Sequence, residues 1–115
     1  MSQKPIEFTP YEHFPSEPAG QAGITHRIAA KASDGIGIVH VVEYEPGVVT
    51  DSGVQCHDFW EYVYIIDGSM IDLTLNQEFT AGSVAVRPPG MKHGPWRIPE
   101  GGCKLFEVKC RNPLE

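Results

Sequence analysis

Two short segments hold the side chains best suited to chemistry. The first, Gln55-Cys56-His57-Asp58-Phe59-Trp60-Glu61, offers an amide oxygen, an imidazole and a carboxylate. The second, from Gly82 to His93, ends in another imidazole. These are ligands for a divalent metal ion. On a strand, Gln55 and His57 share a face about 7 Å apart, close enough to converge on one ion. Glu61 lies roughly 13 Å from His57 if that strand runs straight. The chain must therefore turn at Asp58-Phe59-Trp60 and return Glu61 on a neighbouring strand. His93 follows Pro88-Pro89-Gly90, whose fixed and permissive dihedrals make a sharp turn that can aim the imidazole inward. Gln55, His57, Glu61 and His93 are the expected metal ligands.

Arg87 and Arg97 flank His93. Each either meets a substrate carboxylate or enolate through its fork of donors or forms a surface salt bridge. Phe59, Trp60 and Trp96 lie beside the same segments and serve either as pocket wall or as barrel packing. His13, His26 and His40 have no ligand-spaced neighbours and read as surface or satisfied histidines, with His40 a minor candidate for the cavity lining. Cys56 alternates with Gln55 and His57, so it should face away from the metal. No nucleophile elbow, phosphate-binding glycine loop or HExxH helix is present.

The elements that position these residues read as strands. Apolar runs rich in Val, Ile, Tyr and Phe cover Gly23 to Ala30, Ile36 to Tyr44, Tyr62 to Ile66, Met70 to Leu75, Ser83 to Val86 and Cys103 to Cys110. Gly and Pro separate them and no stretch sustains helical spacing, which indicates an all-β sandwich or barrel. Residues 1–20 mix aromatics with prolines and read as an arm laid over the surface of its own or a partner's barrel, followed by one barrel domain over 21–115. Between Glu61 and Ile66 both faces of the strand are largely apolar. One face can line the interior; the other needs a cover, which points to a homodimer.

The chain has 115 residues, 41% apolar and 21% charged, enough for one core and no second. Its net charge of -6, with scattered cations, argues against nucleic acid or an anionic membrane as partner. Met1-Ser2-Gln3-Lys4-Pro5 lacks the apolar run of a signal peptide, and no apolar stretch is long enough to span a membrane. Cys56, Cys103 and Cys110 cannot all pair within one chain and show no CxxC spacing, so a reducing cytoplasm is expected.

The two segments resemble the paired motifs of the cupin superfamily, G(X)5HXH(X)3-4E(X)6G and G(X)5PXG(X)2H(X)3N. His57, Glu61 and Gly68 match the first; Gly82, Pro88, Gly90 and His93 match the second. The resemblance covers about residues 36–110. Three positions depart from it: Gln55 stands for the first His, neither Gly47 nor Gly53 has the opening spacing, and Arg97 replaces the closing Asn. The stretches Arg87 to Trp96 and Gly102 to Lys109 look like the branch holding the cupin domain of zinc-binding anti-sigma factors and the acetylacetone-cleaving dioxygenases. The resemblance implies a double-stranded β-helix (jelly-roll) barrel holding one divalent metal, with Fe(II) the first choice and Zn, Mn or Ni as alternatives. His57, Glu61 and His93 alone make the two-His-one-carboxylate set of non-haem iron sites, and an amide at Gln55 weakens affinity. The implied function is an oxygenase-like, metal-dependent enzyme acting on a small chelating organic molecule, with isomerase, lyase or decarboxylase chemistry open on the same scaffold. The alternative is a non-catalytic sensing or binding module related to the anti-sigma cupin domains.

Overall fold

The computed structural model describes residues 4–113. The first three residues of the expected arm and the last two of the expected barrel domain lie outside them. One 3-10 turn, Tyr11–His13, precedes the strands β1 (Ser16–Pro18), β2 (Ile24–Lys31), β3 (Ile38–Tyr44), β4 (Trp60–Asp72), β5 (Gln77–Thr80), β6 (Val84–Arg87), β7 (Trp96–Arg97) and β8 (Cys103–Cys110). The fold is all-β. Antiparallel pairing runs β1-β2-β3-β8-β4-β5, with β6 and β7 also on β4.

β4 is longer than the sequence suggests. The sequence reading separates Tyr62 to Ile66 from Met70 to Leu75, with Gly68 between the two runs. Instead one strand runs through, with a register shift between Ile65 and Asp67 in its pairing with β8. Gly68 makes this possible. Its φ is +76°, and a Cβ there would collide with the carbonyl of Gly102. The bend lets the first half of β4 pair with β6 and the second half with β5 and β7, closing the two sheets around one interior. The strand ends at Asp72, whose Oδ1 accepts from the backbone N–H of Thr74 and Leu75 and so starts the turn into β5.

Three strands escape the sequence reading. Ser16–Pro18 contains a proline and sits on the sheet edge, where a missing donor is tolerated. Gln77–Thr80 is four residues long and opens on the polar pair Gln77-Glu78, and Trp96–Arg97 is two residues long. Preceding β1, the carbonyls of Glu12 and Phe14 each accept a hydrogen bond from Arg27 Nη1 (3.0 and 2.9 Å), and Tyr11 Oη lies 3.2 Å from Lys104 Nζ. Phe8, further out, is fully exposed.

The register sorts the inward-facing residues into rungs that cross the sheet. Ile24, Tyr44 and Cys103 form one end; His26, Val42, Leu105 and Ile65 come next. Ile28, His40, Glu107, Val63 and Ala85 follow, then Ile38, Lys109, Glu61 and Arg87. One end of the barrel is therefore apolar, and the buried cluster of Ile24, Val42, Val63, Ile65, Met70, Trp96, Ile98, Cys103 and Leu105 fills it. The other end is charged. The outward face of β8-β4-β6 is also apolar: Tyr64 is 43% exposed, Val84 70%, Val86 53% and Phe106 40%.

Candidate metal centre

Two loops at the charged end meet to form the centre. Gln55 and His93 pair backbone to backbone (Gln55 N–H to His93 O, 2.7 Å; His93 N–H to Gln55 O, 3.0 Å), and Gly90 N–H donates to His57 O at 2.8 Å. The expected reversal at Pro88-Pro89-Gly90 is present: Met91 N–H donates to Pro88 O, and Gly90 takes the left-handed conformation (φ +85°) that the third position of such a turn demands. The chain bends at Asp58 and Phe59 before β4 starts at Trp60. Glu61 thus returns toward His57, although His57 itself lies on a loop and not on the regular strand that was expected. Phe59 stacks on the His57 ring at 4.6 Å between centroids, which limits the ring's rotation.

His57, Glu61 and His93 each present a ligand atom, and all three atoms lie within 4.8 Å of one another. Donors bound to one transition metal at about 2.1 Å fall within about 4.2 Å of each other, so a small side-chain adjustment closes the set. His57 Nε2 and Glu61 Oε2 are already 3.7 Å apart. The strongest mark of an ion site is His93. Both of its ring nitrogens are buried and neither has a partner at hydrogen-bond geometry, although the Met91 backbone lies near enough to raise its pKa. A buried polar atom left this way costs about 1–3 kcal/mol, which a metal bond to one nitrogen offsets. Burial first, and then the nearby Arg87 guanidinium, hold the His93 pKa below the ordinary value of 6.5. The ring is accordingly neutral, the form that ligates metals.

Arg87 lies opposite Glu61 on β6 and donates from Nη1 to Glu61 Oε1 at 2.9 Å, with Glu61 buried and Arg87 half-buried. Its guanidinium also sits 5.5 Å from the centre of the Trp96 ring. The pair is no surface salt bridge: one guanidinium nitrogen of Arg87 holds the Glu61 carboxylate. Arg97 is exposed on β7, next to the buried Trp96, and the fold does not bring it to the centre. Gln55 donates from Nε2 to Ser52 Oγ at 2.8 Å, which leaves its carbonyl oxygen as the group available to an ion. Cys56 is exposed, as its alternation with Gln55 and His57 requires. Trp60 stacks on Tyr62 rather than lining the centre. Asp72, buried, accepts from Gly94 N–H at 3.2 Å and so fixes the chain beside His93.

A cavity of about 570 Å³ has Gln55, His57, Phe59 and Glu61 in its lining, with His93 outside that lining. Its lining also takes in His26, His40, Glu107 and Lys109, on strands beside Glu61 in the same sheet. This group was missed in the sequence, beyond the faint candidacy of His40. His40 and Glu107 sit between Val39 and Val41 and between Phe106 and Val108, inside runs that read simply as strand. A period of two would have found them, since both occupy the register of core residues.

No protein-family model and no curated relative matches the chain. Solved structures do. KdgF from Halomonas sp. superposes with a TM-score of 0.74 at 15% identity, covering 95% of this chain and 96% of that one. An RmlC-like cupin from Shewanella frigidimarina gives 0.68 at 19%, covering 91% of each. The anti-sigma factor ChrR of Rhodobacter sphaeroides, solved in complex with SigE, gives 0.68 at 17%, covering 86% of this chain but 51% of that one. At these identities the likeness speaks for architecture alone. With the two motif segments folded onto one another at the charged end of an antiparallel barrel, it is sufficient for one conclusion: the chain has the cupin fold.

Proposed function

We propose that the protein is a metal-dependent enzyme that binds one divalent ion through His57, Glu61, His93 and Gln55 and acts on a small anionic molecule chelated there. Oxygenase chemistry on Fe(II) is the leading reaction class. The reading rests on His93: a neutral, buried imidazole whose two nitrogens lack a partner at hydrogen-bond geometry, within ligand distance of a second imidazole and a carboxylate. A bound ion supplies Lewis acidity and, as iron, access to oxygen chemistry. The chain supplies the rest. Phe59 and Arg87 fix His57 and Glu61 respectively, while Ser52 holds the Gln55 amide with its oxygen available. Near the centre Arg87 and Lys109 offset Glu61 and Glu107, so a divalent ion leaves this end of the cavity positive and selects an anionic ligand such as a carboxylate or enolate.

The sensing reading keeps one supporting observation, the structural likeness to ChrR. Anaerobic purification, metal quantification and oxygen uptake with Fe(II) and a panel of β-diketones, catechols and hydroxy acids separate the two. Stoichiometric iron with oxygen uptake on one substrate class is the expected outcome. Iron binding without turnover transfers the proposal to the sensor; no metal binding sinks both. Gln55→Ala is expected to weaken metal affinity, and an unchanged affinity removes Gln55 from the ligand set. We also assign the protein to a homodimer formed through the outward face around Tyr64 and Val84, in a reducing compartment suited to its cysteines, all three of which are free.

A further inference from the structure

The cavity lining beside Glu61 carries four titratable side chains in contact. His40 is buried, and its Nε2 lies 2.9 Å from Glu107 Oε1. Its other nitrogen, Nδ1, lies 2.9 Å from Nδ1 of His26. Lys109 Nζ reaches the same Glu107 oxygen at 3.5 Å. A carboxylate only accepts, so His40 Nε2 carries a hydrogen and donates to Glu107. With His40 neutral, its Nδ1 is a lone pair and His26 Nδ1 must donate to it. The free lone pair of the chain is then on His26 Nε2, the ring nitrogen turned away from His40, on a half-buried residue that lines the cavity.

We propose that Glu107, His40 and His26 form a proton relay, a general acid/base site that serves an acidic C–H or O–H of a molecule bound in the cavity. The role as acid/base rests on the enzymatic reading above; the relay itself does not. In the forward step His26 Nε2 takes the proton and the bonding electron pair stays on the ligand. The Nδ1 hydrogen of His26 then passes to Nδ1 of His40. His26 is left neutral with its hydrogen on Nε2, and His40 is left as an imidazolium against the Glu107 carboxylate. Reversal returns the proton to the ligand or its product. No oxidant or second reactant is required.

The charges around the relay fit that assignment. Burial pushes the Glu107 carboxyl up, but the His40 hydrogen bond, then Lys109 and Arg87, outweigh it and hold the group below its usual range, so the carboxylate is present to receive the imidazolium. Burial and then His40 hold His26 below the ordinary imidazole value; Glu17 opposes this, and Lys31 and Lys109 add to it. His26 is therefore a neutral base near neutral pH. Tyr44, in the same lining, is pushed far above its ordinary value by burial and stays a neutral phenol. A buried carboxylate is costly in a barrel that apolar side chains could fill, and packing alone gives no reason for it.

The test is ¹⁵N chemical shifts of the histidine rings against pH, on metal-free and zinc-loaded protein. In the wild type His26 and His40 are expected to share one protonation event, visible at both rings with a common midpoint, while His40 Nε2 stays protonated throughout. Glu107→Gln is expected to lower that midpoint by about one pH unit or more. His26→Gln, at a half-buried position, is expected to move the His40 midpoint away from its wild-type value, and an unmoved His40 midpoint overturns the relay. Two independent titrations, or a midpoint that Glu107→Gln leaves in place, overturn the relay. Because the shifts are read with and without zinc, absence of a metal site leaves this result intact.

Discussion

Arg87 and Glu61 show what a largely buried ion pair does beside a candidate metal site. The guanidinium satisfies Glu61 Oε1 and leaves Oε2 facing His57. Removing it strands a buried carboxylate, at a cost of about 3–5 kcal/mol. Arg87→Ala is thus expected to lower the stability of the metal-free protein by about that much and to recover part of it when metal is added, because the ion takes over the charge. Equal losses with and without metal, in urea titrations, would contradict this. His93 gives a pH dependence with a definite sign. Its folded pKa is lowered from 6.5, so below that pH the unfolded chain binds the extra proton more readily. Stability of the metal-free protein therefore falls as pH drops from about 7 toward 5, and His93→Gln should flatten that slope. The clustering of His57, Glu61 and His93 was legible because their residue types are rare and their spacing is strict. Glu107 was not, because a single carboxylate in an apolar strand is visible only once its register is known.

At the scale of elements, β4 decides the architecture. Gly68 lets one strand serve two sheets, and only glycine combines its positive φ with the approach of the Gly102 carbonyl. Gly68→Ala adds left-handed strain of about 1–2 kcal/mol and overpacking of about 1–3 kcal/mol. A fall in melting temperature of several degrees is expected, and an unchanged melting curve would show that the backbone relaxes freely at the bend. Most strand positions follow from apolar alternation: β8 spans Cys103–Cys110, the run expected from sequence. The error at Asp67-Gly68 has a physical source. A turn and a bulge both use a residue at positive φ, and which one forms depends on whether strands β8 and β5 stand ready to pair on either side.

For the molecule as a whole, the outward apolar face carries the prediction. Tyr64, Val84, Val86 and Phe106 are neighbours across β8, β4 and β6, and an open patch of this kind is unusual on a monomer. Sedimentation should report twice the 12.7 kDa chain mass, and Val84→Lys should shift the equilibrium to the monomer without loss of fold. A wild type that sediments as the single chain ends the dimer proposal. The rungs inside the barrel carry a different consequence. Cohesion is concentrated toward the apolar end, while reactive groups occupy the opposite one. Lineages sharing this scaffold can redraw the reactive end by point mutation, trading one substrate for another, while the apolar end keeps the chain folded through each change. A library randomised at Ile28, Ile38 and Lys109 should therefore retain mostly soluble members; one randomised at Val42, Ile65 and Leu105 should not.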